Sequence, residues 1–230
     1  MLETVRAPEA ATDWSRTSGD KPIDAWSHGE IAPAQARAMA AYMNANSLLA
    51  ALVLARRVEL GGCKRLLDVG AGSGCFSIAL ARANPELRCT LMDLKGMGEA
   101  ASEYVRASHL ESRIDTCPRD MFRQEWPAGY DAILLSNILH DWDLSTAALL
   151  ARKAYDALPA GGQIFLHEML LDDSHDGPPT AVAFSFYMLV GTKGQQFTAA
   201  ELFSMLGDAG FKNLLVTPVH GFYSIVRGEK

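Results

Sequence analysis

The stretch LLDVGAGSG, residues 66–74, constrains this chain more than any other. Apolar residues run straight into Gly70, Gly72 and Gly74, and SGCFSIALARAN (73–84) then has helical spacing and stops before Pro85. An apolar strand that turns on glycines into a helix is the opening unit of an open α/β sheet. The glycines let the backbone turn tightly and let a ligand approach the main chain, and the helix start turns its N–H groups toward that ligand. A generic strand-to-helix turn would ask for no more than this. A nicotinamide-binding loop reads G-x-G-x-x-G; here the third glycine would fall on Cys75, and Gly74 comes one residue early. The loop is a poor pyrophosphate cradle, which makes a dehydrogenase the weakest functional reading.

The same alternation continues downstream. RLLDVG (65–70), RCTLMDL (88–94), RIDTCP (113–118), YDAILLSNI (130–138) and GQIFLHEML (162–170) read as five buried strands. Between them lie helical patterns, among them GEAASEYVRASHL and DLSTAALLARKAYDAL, the latter with an Asp/Ser start and a PAGG stop. Strand–helix alternation implies right-handed crossovers and a mostly parallel, doubly wound sheet with helices on both faces. AVAFSFYMLV (181–190) fits strand or helix by content, and its place in the alternation favours helix. TAAELFSMLGDAG (198–210) is a helix with a Thr cap and a terminal Gly. The last two apolar runs flank PVHG and read as an antiparallel hairpin on the sheet edge, making seven strands in all. Upstream, Pro33 to about Val58 reads as one or two helices. Residues 1–32, with Trp14 and Trp26, have no clean period and read as an extension or lid ahead of a main domain at 33–230.

Composition removes several function classes. A net charge of −6 over 230 residues offers no basic footprint for nucleic acid and none for an anionic membrane surface. The greasiest run, SLLAALVLA (47–55), is too short to span a bilayer, and MLETVRAPEA is no signal peptide. Cys63, Cys75, Cys89 and Cys117 are scattered without a C-x-x-C pair or a histidine cluster, so no metal is expected. They read as reduced thiols of a cytoplasmic protein.

Chemistry-bearing residues gather at the strand ends. Asp93 ends the second strand about 20 residues past the loop, where a carboxylate can accept both hydroxyls of a ribose. Asp120 follows the third strand; it can accept from an adenine amino group or merely cap a turn ahead of Met121 and Phe122. His140 lies just past the fourth strand in SNILHDWD, and Glu168 ends the fifth strand, which should be its neighbour. A carboxylate beside an imidazole orients it and supports the imidazolium. Asp143 reads as the cap of the next helix. Phe184, Tyr187 and Met188, at helical spacing, read as an aromatic substrate wall or as core.

Together these features resemble the class I S-adenosylmethionine-dependent methyltransferases over roughly residues 60–230. ILHDWD is similar to the pattern of the plant and bacterial small-molecule O-methyltransferases, the caffeic acid and hydroxyindole group. The resemblance implies a Rossmann-like fold and S-adenosyl-L-methionine as methyl donor, with S-adenosyl-L-homocysteine as product. It implies His140 as general base, supported by Glu168 and followed by Asp141 as in the family. It places cofactor contacts on Gly70, Gly72, Asp93, Leu94, Asp120 and Met121, and substrate contact on Met43, with Ser47 in a comparable place. Two positions depart from the pattern. The family's second supporting Glu falls on Gln196, which predicts a less basic or differently employed His140. Its cofactor-contacting Lys, four residues before the His, falls on Ser136. The family's usual N-terminal helical domain, which makes its homodimer, has no room ahead of residue 33, so the resemblance supplies a homodimer without its usual means.

The leading expectation is methyl transfer to a hydroxyl of a small aromatic metabolite, phenolic or polyketide-like. Carbon or nitrogen methylation by proximity on the same scaffold is the neighbouring alternative. A non-catalytic cofactor-binding partner subunit is the alternative from another class.

Overall fold

The computed structural model describes residues 30–230. The expectation of a lid over residues 1–32 therefore lies almost wholly outside the described residues. Helix α1 (Pro33–Arg57) comes first, with Pro33 in its opening turn, and is one helix. Strand β1 (Arg65–Val69) then starts where Asp131 accepts the N–H groups of Lys64 and Arg65, at 2.8 Å each. The order continues α2 (Cys75–Ala83), β2 (Arg88–Asp93), α3 (Lys95–Ala107), β3 (Ile114–Pro118), β4 (Ala132–Ser136), a short 3₁₀ turn (Leu139–Asp141) and α4 (Leu144–Ala157). It ends β5 (Gln163–Met169), α5 (Pro179–Gly191), α6 (Ala199–Ala209), β6 (Lys212–His220) and β7 (Tyr223–Glu229).

The sheet has seven strands in the order β3-β2-β1-β4-β5-β7-β6. It is parallel from β3 to β5, and β7 pairs antiparallel with both β5 and β6. The strand order reverses between β1 and β4, and the crevice outside the carboxyl ends at such a switch point is where open α/β sheets bind ligands. Both faces of the sheet are covered. Leu67, Ile133, Leu135 and Leu166 face α4 and α6, while Leu66, Leu91, Leu134 and Phe165 face α1, α2 and α3. Each such side chain contributes ~1.5–3 kcal/mol on burial.

Three boundaries differ notably from the sequence expectation. Helix α3 begins at Lys95 rather than at Gly98, and packs Gly96 closely against the chain ahead of α1: a Cβ there would sit 2.7 Å from the Ile31 carbonyl oxygen. Strand β4 ends at Ser136 rather than 138, because Asn137 takes a left-handed conformation (φ 55°) and turns the chain out of the sheet. The final hairpin turns at Gly221–Phe222, with β6 running on through Pro218 to His220, so the first three residues of PVHG are strand with an irregular register and only its Gly belongs to the turn. The hairpin also enters the sheet by β7, leaving β6 at the edge.

Helix α1 is, among the described residues, long and apolar enough to cross a bilayer by length and composition, which the shorter run at 47–55 did not suggest. Its Ala36, Ala40, Ala50, Ala51 and Leu54 are buried in the fold, and Tyr42, Leu48, Leu49 and Leu52 are exposed.

Candidate active site

One cleft opens at the switch point. It is lined by the glycine loop, by Asp93 and Leu94 after β2, by Asp120, Met121 and Phe122 after β3, and by Ser136 to Ile138, Asp141 and Trp142 after β4. Every cofactor residue expected from the sequence therefore stands on a single cavity. The loop takes its shape from its glycines. Gly70 and Gly72 both have positive φ, and a Cβ on Gly72 would fall 2.8 Å from the sulfur of Met43. Met43, expected at the substrate, is thus packed against the loop itself, and Ser47 lines the same cleft.

Asp93 holds the loop closed. One carboxylate oxygen accepts the Gly72 N–H at 2.8 Å and the other the Leu94 N–H at 2.7 Å. Burial pushes its pKa up to about 6 against those two hydrogen bonds. Asp120 does cap its turn, accepting the N–H groups of Phe122 (2.8 Å) and Arg123 (3.2 Å) on one oxygen. It lines the cleft as well, so its two sequence readings are compatible.

Sequence reasoning assigned nothing to Asp68. It is a buried carboxylate under the loop, bonded to the Ser77 hydroxyl at 2.7 Å, and burial raises its pKa to about 7. The signal was available: an ionisable residue inside an otherwise apolar strand costs free energy unless it serves a ligand or a partner. Three more polar groups lining the cleft are buried without a hydrogen-bond partner: Ser73 Oγ, Asn137 Oδ1 and Trp142 Nε1. Orphans of this kind are rare in a finished core and point to a bound molecule.

His140 sits on the 3₁₀ turn beside the cleft. Its Nδ1 is 2.7 Å from Glu168 Oε2, and Glu168 Oε1 accepts the N–H groups of Ile138 and Leu139 at 3.1 Å each. One buried carboxylate thus fixes both the ring and the turn that carries it. On the far side Asp141 Oδ1 lies 3.8 Å from Nε2. Burial pulls the imidazole pKa down, but the charge and hydrogen bond of Glu168 and the charge of Asp141 outweigh it and lift the value to about 9. Burial likewise raises Asp141 to about 6, with the charge of His140 opposing.

The side-chain amide of Gln196 is fully buried and makes no hydrogen bond. The second carboxylate comes from Asp141, the next residue in the chain.

The expected aromatic wall divides. Phe184 meets the His140 ring edge-on at 5.5 Å and stacks on Tyr187 at 6.1 Å. Tyr187 is half exposed, and burial is the main cause that raises its phenol pKa. Met188 is buried and belongs to neither the cleft nor that aromatic pair, which is its core reading. Ser136 lines the cleft and bonds His167 Nδ1 at 2.9 Å, a partner the sequence did not suggest. Asp143 caps α4 by accepting the Thr146 N–H, as expected. Cys63, Cys75, Cys89 and Cys117 are unpaired thiols. No group of three or more His, Cys, Asp or Glu with metal-binding geometry occurs among the described residues.

Comparison with known proteins bears on the same geometry. The profile of the O-methyltransferase domain family matches residues 2–212. A 3-hydroxy-5-methyl-1-naphthoate 3-O-methyltransferase of Streptomyces sahachiroi is 44% identical over 164 residues, covering 71% of this chain and 48% of that protein. An L-tyrosine C(3)-methyltransferase of Streptomyces lavendulae is 33% identical over 181 residues, covering 78% of this chain and 50% of that protein. The chain thus spans about half the length of these curated relatives. Among solved structures, PigF with S-adenosylhomocysteine superposes with a TM-score of 0.86 at 25% identity, over 100% of this chain and 68% of that one.

Proposed function

The chain belongs to the O-methyltransferase domain family, and from that premise we propose that it transfers a methyl group from S-adenosylmethionine to the hydroxyl of a small aromatic metabolite, with His140 as general base. The observation that carries this reading is the buried His140–Glu168 pair, 2.7 Å apart, on a turn whose Ile138, Asp141 and Trp142 line a cleft rich in carboxylates and orphaned polar atoms.

The cleft's residues suit that donor. Asp93, its carboxylate already fixed by the loop, is placed for ribose hydroxyls, and Asp120 with Met121 and Leu94 for the adenine. Asp68 offers a buried negative charge to an ammonium group. When bound, S-adenosylmethionine supplies an electrophilic methyl group on a sulfonium. In-line displacement there consumes positive charge, so the protein must chiefly position the acceptor and exclude water. Phe184, edge-on to His140, and Tyr187, stacked on Phe184, supply the aromatic surroundings.

The acceptor must lose its proton to attack well. A phenol ionises near ~10, and the imidazolium of His140 near about 9. At neutral pH His140 is therefore mostly imidazolium and its neutral minority is the base, for which the near match to the phenol keeps proton transfer close to balanced. Glu168 holds the ring by Nδ1, leaving Nε2 for the acceptor. Asp141, beside Nε2, stabilises the imidazolium.

The test is incubation with S-adenosylmethionine and a panel of phenols, hydroxyindoles and hydroxynaphthoates, read by mass. A product heavier by one methyl group on oxygen is expected. Methylation at ring carbon, with turnover insensitive to His140→Ala, would overturn the base assignment. The resemblance to a tyrosine C-methyltransferase keeps that second reading specific. Cofactor binding without transfer to any acceptor would favour a partner-subunit role.

A further inference from the structure

Building on that cofactor reading, we propose that His167 is a positioning residue. It turns the Ser136 hydroxyl into a directed donor to the carboxylate at the amino-acid end of the bound cofactor.

Ser136 and His167 are register partners at the carboxyl ends of β4 and β5. Ser136 Oγ and His167 Nδ1 stand 2.9 Å apart. The imidazole is fully buried, stacked on Tyr223 at 4.7 Å and 12°, with Phe76 at 5.1 Å. Its Nε2 is buried and has no hydrogen-bond partner. Burial in these aromatic surroundings keeps the ring neutral, with a pKa lowered to about 4. A neutral imidazole carries one N–H, so two arrangements exist.

In the first, Ser136 donates to Nδ1. The ring proton then sits on Nε2 as a buried donor with no acceptor, which is the rarer and costlier kind of orphan. In the second, Nδ1–H donates to Ser136 Oγ, and Nε2 keeps only a bare lone pair. The second leaves less unsatisfied. It also frees the hydroxyl hydrogen, which has no other acceptor among the described residues and belongs to a residue lining the cleft.

The cleft determines what that hydrogen meets. Pairing of Val69 with Leu135 sets Ser136 beside Gly70, at the loop end of the cavity rather than at Asp120. The ionisable side chains lining the cleft are mostly carboxylates: Asp68, Asp93, Asp120 and Asp141. These suit hydroxyl, amino and ammonium groups and repel an anion. Arg119, a cation on the same cleft, follows β3 beside Asp120 and not at the loop end, where a hydroxyl already polarised by Nδ1–H can supply a cofactor carboxylate with a charge-assisted bond. The resembling family places a Lys at this position; here a histidine behind a serine replaces the cation.

Titration calorimetry with S-adenosylhomocysteine and with 5′-methylthioadenosine, which lacks the amino-acid end, tests this. Ser136→Ala and His167→Phe should each weaken S-adenosylhomocysteine roughly tenfold and leave 5′-methylthioadenosine within about twofold, as loss of one hydrogen bond to a charged group demands. His167→Asn, whose amide N–H can stand where Nδ1–H stood, should recover most of the loss. In wild-type protein with labelled histidine, the ¹⁵N spectrum should show His167 Nδ1 as pyrrole-type and Nε2 as pyridine-type. Equal losses for both ligands, unchanged affinity in both variants, or the opposite tautomer would each overturn the proposal. Should His167→Phe fail to fold, Ser136→Ala and the wild-type spectrum decide. Failure of the wild-type protein to bind S-adenosylhomocysteine would instead sink the cofactor reading itself.

Discussion

Two histidines, both buried at the carboxyl ends of neighbouring strands, end up as opposites. His140 lies between two carboxylates and is pushed up to about 9. His167, next in sequence to the Glu168 that holds His140, lies among aromatic rings and is pulled down to about 4. The alternation of side chains along β5 separates them, because successive residues of a strand face opposite sides. Burial acts on both in the same direction. What differs is whether the strand end delivers a carboxylate or a stack of rings. The same residue type is thus raised at one corner and lowered at the other, the contrast on which the proposed roles of base and neutral donor rest.

The harshest way to break the contrast is Glu168→Ala. It strips His140 of its partner and leaves the Ile138 and Leu139 N–H groups without an acceptor. Removing one member of a buried pair costs about 3–5 kcal/mol, readable as a lower denaturant midpoint, and turnover should vanish with it. A variant as stable as wild type would show that the carboxylate holds nothing. His140→Ala comes next. Turnover should fall by about 10²–10⁴-fold while calorimetry records unchanged S-adenosylhomocysteine affinity; a parallel loss of affinity would move His140 into the cofactor site.

The pH dependences should run in opposite senses. His140 must be deprotonated to act, so kcat/KM should climb with pH along a limb near about 9, a limb absent from His140→Ala. For stability, a raised histidine pKa favours the folded state fully below the unfolded value of ~6.5 and loses that contribution as pH rises through about 9. A lowered one contributes fully above ~6.5 and loses its contribution as pH falls toward about 4. Urea titrations of His140→Ala and His167→Phe against wild type across pH 4–9 would show two stability differences of opposite slope, and parallel slopes would erase the contrast.

Smaller effects lie outside the two histidines. Asp93→Ala frees two backbone N–H groups and should weaken cofactor affinity by roughly tenfold or more; normal affinity would remove that contact. Asp143→Ala loses only a helix cap and should cost about 1 kcal/mol with kinetics unchanged.

The sheet, its order of strands and helices, and the cleft's rim were legible because each rests on a local pattern. Alternating apolar runs gave the strands, the glycines the loop, and the acidic strand ends Asp93 and Asp120. The pairing of His140 with Glu168 followed from neighbouring strand ends alone. What was hidden depended on three-dimensional company. Nothing in the sequence says that Asp141 would approach Nε2 while Gln196 lies buried without a hydrogen bond. Asp68 was visible as a charge in an apolar strand, yet only the cleft makes it part of the site. His167 reads as one polar residue in a core strand. Its partner Ser136 comes from strand register, and its stacking ring Tyr223 from a hairpin more than 50 residues away. The hairpin turn was misplaced because Pro218 suggests a turn, whereas an irregular register at the sheet edge accommodates it within a strand.

The position of β7 has a consequence for how the site comes into being. It is synthesised after every other strand of the sheet, yet it lies between β5 and β6. On the ribosome β5 emerges with one edge bare, and β6 has no strand to join until β7 follows it. The ring that stacks on His167 arrives only then. The glycine loop, Asp93 and the His140–Glu168 pair can all assemble earlier from local and nearby segments. The nascent chain would thus own a base before it owns the finished floor beneath Ser136, and closing the sheet becomes a late, long-range step that the growing polypeptide must wait for.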